Sequence, residues 1–253
     1  MNTQFDLSSI LKALRLTTFI TNYEKFAIEH EKNEKSYLDF LTALCEAEMQ
    51  SRHTKKLTRL LKSAKLPRNK TLDEFQNARI PGLKLSQIQL LSKGDFLERA
   101  ENLLMFGNPG TGKTHLCLAF AQEWCMQGRK VRYTTTASLI QTLLKAKKEL
   151  TLDRCIQRYG KYQALIIDDI SYIPCGRDET DVLFTLLSER YEMQSTIITS
   201  NEPFANWNKI FKDEVTTNAV IDRLVHHSTI LQLNAESYRL SSAKKRKEEK
   251  LNN

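Results

Sequence analysis

Eight residues constrain this chain more than any bulk property: Gly107-Asn108-Pro109-Gly110-Thr111-Gly112-Lys113-Thr114. They stand between an apolar run, Asn102–Phe106, and a stretch of helical apolar spacing that opens near Lys113. The pattern GxxxxGK[ST], placed after a strand and at the start of a helix, is a phosphate-binding loop. Its glycines permit conformations that turn successive backbone N–H groups inward, with no Cβ in the way. Those groups and the helix N-terminus make a nest for an anion. Lys113 brings a compact positive charge to the β and γ phosphates, and the Thr114 hydroxyl can ligand Mg²⁺. His115 follows on the helix and is grouped with the loop as a nucleotide-contact candidate.

The rest of the sequence supplies a fold for that loop. From residue 101 apolar runs alternate with amphipathic segments: Leu103–Phe106, Val131–Thr134, Ala164–Ile167, Thr196–Thr199 and Ile230–Leu233. Helical patterns lie between them near 113–127, 136–147, 178–192 and 216–227. Alternating strand and helix implies an α/β fold with a parallel sheet flanked by helices. The region before it is different. There is no glycine before Gly82 and no proline before Pro67. Leu7, Ile10, Leu11 and Leu14 suggest one helical stripe, and Leu38, Leu41, Ala43 and Leu44 another. The expected organisation is a small all-α N-terminal domain (1–66), a connecting segment packed on the core (67–100), the α/β domain (101–240) and a charged tail (241–253).

Two further strands end in chemistry. Ala164-Leu165-Ile166-Ile167 runs into Asp168-Asp169, and ligands of open α/β sheets bind at the carboxyl ends of strands. Asp168 is expected to hold Mg²⁺, and Asp169 to orient or deprotonate the water that attacks the γ-phosphate. Thr196–Thr199 leads to Ser200-Asn201, and Asn201 is a candidate to bond that water or the γ-phosphate, or alternatively a turn asparagine. Arg223, in Ala219-Val220-Ile221-Asp222-Arg223-Leu224, reads either as a surface ion-pair residue or as an arginine finger reaching a neighbour's nucleotide. Arg239 is a second candidate for nucleotide contact.

Charge points to a polyanion. Lys and Arg number 38 against 30 Asp and Glu, a net +8. The surplus is concentrated between Ser51 and Lys70, where Arg52, Lys55, Lys56, Arg59, Lys62, Lys65, Arg68 and Lys70 occur without an acid. Leu57, Leu60, Leu61 and Leu66 recur at helical spacing among them, which puts the bases around the opposite face. Arg52, Lys55, Lys56, Arg59, Lys62 and Lys65 are the candidate phosphate contacts to DNA, giving affinity without sequence choice. The tail Lys244-Lys245-Arg246-Lys247 is a lesser candidate, being followed by Glu248 and Glu249. Five cysteines without CxxC spacing argue against a disulfide framework or a zinc site and for a reducing compartment. The segment MNTQFDLSSILKALRL lacks the apolar run of a secretory leader, and no run is long enough to span a bilayer. A bacterial cytoplasmic location and no membrane partner are expected.

The motifs NLLMFGNPGTGKTHL, VRYTTTASLI, ALIIDDISYIP, LLSERYEMQSTIITSNEPFANW, AVIDRLVHHS and ESYRL together resemble the IstB-like ATPases over about residues 40–240. These are AAA+ helper proteins of two-gene bacterial insertion sequences, close to the DnaC-type helicase loaders. The resemblance implies ATP with Mg²⁺ as cofactors and self-assembly on duplex DNA. It also implies a cognate transposase as partner and release by ATP hydrolysis. It carries over residue by residue. Lys113 and Thr114 match the Walker A lysine and threonine, and Asp168 and Asp169 the Walker B acids. Asn201 matches the sensor-one polar residue and Arg223 the finger. Many AAA+ proteins have Asp-Glu where this chain has Asp-Asp, which implies slower turnover. A replicative helicase loader is the alternative reading. A nucleotide-gated scaffold and a P-loop kinase are more distant ones.

Overall fold

The computed structural model describes residues 6–67, 70–75, 80–172, 176–211, 214–235 and 237–238, the side chains of Tyr172 and Lys209 aside. Arg68, Arg239 and the tail 241–253 lie outside the described residues. The chain divides into two compact units, Met1–Arg59 and Leu60–Asn253.

The first unit is helical. Helix α1 (Leu7–Ala13) packs on α2 (Thr17–Lys32), and α3 (Tyr37–Ala64) contributes its residues up to Arg59. Arg15, at φ 57°, turns the chain between α1 and α2. The Glu48 carboxylate accepts the Thr18 N–H at 2.8 Å, so an acid from α3 satisfies an open donor in the first turn of α2. Burial raises the Glu48 pKa, but hydrogen bonds from Arg52 and Thr18 outweigh it and hold the carboxyl below its ordinary value. The two expected apolar stripes are thinner than their sequence suggests. Of the first only Leu11 is buried; of the second only Leu44. The buried face of α3 runs through Leu44 and Glu48; Leu41, one turn before Leu44, lies on that face yet stays exposed, and Leu38 lies off it.

The larger unit is built on a five-stranded parallel sheet in the order β2-β3-β4-β1-β5. The strands are β1 (Asn102–Phe106), β2 (Val131–Thr135), β3 (Ala164–Asp168), β4 (Ser195–Ser200) and β5 (Ser228–Gln232). The three central strands β3, β4 and β1 are buried throughout, as near-continuous apolar runs covered on both faces should be. Alternate residues face opposite sides. Leu104, Phe106, Leu165, Ile167 and Ile198 join one cluster with α6 (Thr136–Lys148), α7 (Leu152–Gly160), α8 (Arg177–Arg190) and α10 (Glu214–Val225). Trp207 and the short α9 (Asn208–Phe211) complete it. The α5 helix (Lys113–Met126) contacts β2 and β4 and packs on α4 (Leu85–Lys93). Trp124, fully buried, stacks on Phe120, meets Phe96 edge-on and donates its indole N–H to the Leu91 carbonyl at 2.9 Å.

The α7 helix falls where no element was expected. It has only three buried side chains, Cys155, Ile156 and Tyr159, at spacings of one and three, too brief a pattern for periodicity to register. The last helix and strand begin two residues earlier than expected, because the His226-His227 turn lies between them.

Candidate nucleotide-binding site

The order β3-β4-β1 brings three carboxyl-terminal strand ends side by side, and the candidate residues converge there. The loop after β1 is tight. Gly107 has φ 154°, and a Cβ there would strike the Leu233 carbonyl; at Gly110, φ 84°, it would strike Ser237. The chain after β5 therefore lies against the loop. Leu233 N–H donates to the Phe106 carbonyl at 2.8 Å and Tyr238 N–H to the Gly110 carbonyl at 3.0 Å. Thr111 is buried and closes the loop with a hydroxyl bond to the Asn108 carbonyl at 2.9 Å, while Asn108 and Pro109 are exposed. Gly112 is the N-cap of α5.

Lys113 is 7% exposed. Its ammonium donates to the carbonyls of Gly107 (2.5 Å) and Asn108 (3.0 Å) and to Asn201 Oδ1 (2.7 Å). A cation is thus held at the centre of the loop by bonds that also fix the side chain of Asn201. Asn201 Nδ2 donates in turn to Asp169 Oδ1 at 3.0 Å.

Asp168 is nearly as buried, at 6%. Three hydroxyls point at its carboxylate: Thr114 Oγ1 at 3.0 and 3.1 Å, Tyr133 Oη at 2.7 Å and Thr199 Oγ1 at 2.6 Å. Burial and the Asp168 charge push the Tyr133 phenol well up, so it stays a donor. The Thr199 hydroxyl also accepts the Asp169 N–H at 2.8 Å and so bridges the two acids. Asp169 itself has φ 59°, a left-handed conformation that aspartate and asparagine enter more readily than other non-glycine residues. Burial, then the neighbouring Asp168 charge, raise its pKa above the ordinary range, and Lys113 opposes them.

The donor set fits a nucleotide and its metal. A hydroxyl and a carboxylate, Thr114 and Asp168, are the hard oxygen ligands that Mg²⁺ takes alongside phosphate oxygens. The inward-turned loop and the buried ammonium match a polyphosphate. Thr199, Tyr133 and Ser171 carry no motif and were not legible as site residues. Thr199 and Tyr133 contact the acids directly; the Ser171 hydroxyl accepts the Asn201 N–H at 2.8 Å. The strand pattern places Tyr133 on β2, but only the β2–β3 register, with Tyr133 opposite Ile166, brings it to Asp168.

Other candidates are not gathered here. His115 Nε2 lies 3.1 Å from the Thr71 carbonyl and its ring is 5.5 Å from Phe75. Arg223 is half-buried; its guanidinium sits 4.9 Å over the Phe184 ring of α8 and donates to the Ala219 carbonyl at 3.1 Å. Five candidate bases on α3, Arg52, Lys55, Lys56, Arg59 and Lys62, and Lys65 just past its end are all exposed. They are not equivalent. Arg52 pairs with Glu48 at 2.7 Å and donates to the Arg15 carbonyl at 3.0 Å, and Lys55 reaches the Thr17 hydroxyl at 3.3 Å. Glu48 stands one turn before the acid-free stretch, which is why the sequence alone did not reveal the pairing.

Comparison with known proteins agrees with the geometry. Residues 9–247 match the family of IstB-like ATP binding proteins. An insertion sequence ATP-binding protein described from Sinorhizobium fredii is 40% identical over 94% of this chain and 80% of its own length. One described for the insertion sequence IS21 of Pseudomonas aeruginosa is 38% identical over 95% of this chain and 91% of its own. Among solved structures, the DnaC helicase loader superposes with a TM-score of 0.53 at 20% identity, over 69% of this chain and 98% of that one. AMPPCP-bound DnaA from Aquifex aeolicus gives 0.57 at 18% identity, over 73% and 56%. At these identities the structures speak for the fold alone, a parallel sheet flanked by helices with the phosphate loop after its first strand. Among the described residues no helix is long and apolar enough to cross a membrane. The chain belongs to the IstB-like ATP-binding protein family.

Proposed function

We propose that this chain is an ATP-hydrolysing helper of an insertion-sequence transposase that assembles with ATP on duplex DNA. The observation that carries the reading is the continuous network Lys113–Asn201–Asp169–Thr199–Asp168–Thr114 at three adjacent strand ends. A nest that only bound phosphate would not need a buried acid and a half-buried one wired to it.

ATP lies with its phosphates on residues 107–114, and Lys113 exchanges its loop carbonyls for phosphate oxygens. Thr114 and Asp168 would hold Mg²⁺, which would supply positive charge against that developing on the phosphate oxygens. Tyr133 and Thr199 fix the Asp168 carboxylate so that its geometry is set before nucleotide arrives. Asn201 orients a water, and Asp169 takes its proton as the water oxygen bonds to the γ-phosphorus. The bond from that phosphorus to the β–γ bridging oxygen breaks, and ADP departs. The raised pKa of Asp169 suits a base working nearer neutrality. Arg223 of a neighbouring copy completes the site, so turnover requires assembly. The exposed bases on and just past α3 supply sequence-independent phosphate contacts, with Lys56, Arg59, Lys62 and Lys65 ahead of the internally paired Arg52 and Lys55.

Asp169→Asn tests the reading. The variant is expected to keep ATP, to form the DNA-bound assembly and to stall in it. A variant that turns over ATP like the parent removes Asp169 from the mechanism. Arg223→Ala is expected to stop turnover and spare nucleotide binding.

A further inference from the structure

At the opposite end of β1 from the phosphate loop, Glu192, His226 and His227 point at one another. Glu192 Oε1 is 3.8 Å from His226 Nδ1 and 3.8 Å from His227 Nε2, and one donor atom of each residue lies within 4.8 Å of the others. Three lone-pair-bearing atoms converging on one point call for a cation between them. Zinc takes imidazole nitrogen at about 2.0–2.1 Å and carboxylate oxygen at about 2.0–2.2 Å, so its tetrahedral ligands stand roughly 3.4 Å apart. Two edges of this triangle are within about half an ångström of that. The side chains are 52–54% exposed and can close the remainder by small rotations.

The backbones that present these groups are fixed. His227 lends its carbonyl to the Asn102 N–H at 2.7 Å, at the start of β1, and His226 N–H is tied to the Asp222 carbonyl at 3.0 Å. The tight turn between α10 and β5 sets the two imidazole centroids 4.0 Å apart. Glu192 adopts φ 58°, an uncommon conformation for a residue that is not glycine. It is held there as Met193 and Gln194 both donate to the Arg190 carbonyl, at 3.1 and 3.0 Å. The Arg190 guanidinium is buried beneath, bonded to the carbonyls of Tyr159, Tyr162 and Ser195. Beside the triangle the Tyr191 hydroxyl lies 2.7 Å from His226 Nδ1. When the imidazole lone pair is taken, that hydroxyl can turn to the Glu192 carboxylate, as outer partners of metal ligands do.

We propose that Glu192, His226 and His227 form a binding site for one borderline divalent transition ion, with zinc the best fit. Two imidazoles and a carboxylate suit zinc, nickel or copper better than magnesium or calcium. Three protein ligands leave a fourth position for water. The ion fastens the turn after α8 to the turn that joins α10 to β5. The cysteine spacing argued against zinc; here histidines carry it. The site is independent of ATP turnover.

The test is zinc titration of the untagged full-length chain by calorimetry, with cobalt as a spectroscopic substitute. One ion per chain is expected, with a cobalt spectrum of nitrogen and oxygen ligation and an uptake unaffected by excess magnesium. His226→Ala and His227→Ala should each abolish stoichiometric uptake, and Tyr191→Phe should weaken it about tenfold. The two histidines are exposed and Tyr191→Phe keeps the ring, so the variants fold; zinc should raise the melting temperature of the parent and not of the histidine variants. No saturable uptake overturns the proposal. So does uptake that survives both histidine substitutions, or a cobalt spectrum with thiolate charge transfer, which would assign the ion to a cysteine such as the exposed Cys45.

Discussion

The two units of this chain are stabilised differently. In Leu60–Asn253 the central strands are inaccessible, and Leu103, Leu104, Leu165, Ile166, Ile167 and Ile197 are all 0% exposed. Up to Arg59 the buried apolar side chains among the described residues are Leu11 and Leu44, accompanied by the polar His30 and Glu48. Leu7, Ile10, Leu14, Ile28, Tyr37, Leu38, Leu41 and Met49 are exposed in that same unit. One unit puts its apolar residues into a core, and that core positions the candidate nucleotide site. The other keeps apolar and basic side chains on its surface, where they are available for contacts. Exposed apolar groups in this number mark interaction surfaces more often than accidents.

The contrast can be broken most forcefully in the core. Trp207 is fully buried among Phe106, Phe204 and Phe211 and donates to the Glu202 carbonyl at 3.2 Å. Trp207→Ala should destabilise the larger unit by about 3–5 kcal/mol, read by denaturant unfolding. Next comes the site. Asp169→Asn should lower ATP turnover about 10²–10⁴-fold and leave the unfolding midpoint almost unchanged. In the parent, turnover should fall as acid protonates Asp169. Because burial and Asp168 raise its pKa, that acidic limb should lie above the ordinary aspartate value of about 3.9. A pH–rate profile with its limb at or below that value contradicts the assignment of the base.

Tyr133→Phe isolates the support of the metal-binding carboxylate. It removes one hydroxyl from Asp168 and should raise the Mg²⁺ concentration needed for turnover about 10–100-fold, with metal-free nucleotide binding little altered. On the other unit, Lys56→Ala should reduce the salt slope of duplex DNA binding by about 1, whereas Arg52→Ala should perturb the fold of the unit through Glu48. Smallest of all, Leu41→Ala should shift stability by no more than about 0.5 kcal/mol. A large loss there would mean that Leu41 is covered.

The sequence was legible where chemistry and pattern coincide. Continuous apolar runs ending in Asp168-Asp169 or leading into Gly107–Thr114 mark both the strand and the candidate site at its end, and those strands were located to within a residue or two. Tyr133 and Thr199 were not legible, because they matter through the register of parallel strands, which no local pattern encodes. The same holds for Glu48 and Arg52, an i,i+4 pair that a window beginning at Ser51 cuts in half. Arg223 shows the converse. Its motif suggested a role between copies, and within one chain its guanidinium is stacked on Phe184.

The most direct test measures ATP turnover and particle size together, with and without duplex DNA, at two salt concentrations. The account predicts that ATP and duplex DNA jointly produce a large, salt-sensitive assembly that hydrolyses ATP, and that Asp169→Asn forms the same assembly and leaves the ATP intact. A chain that remains monomeric with both present, or that hydrolyses ATP equally well without assembling, contradicts it.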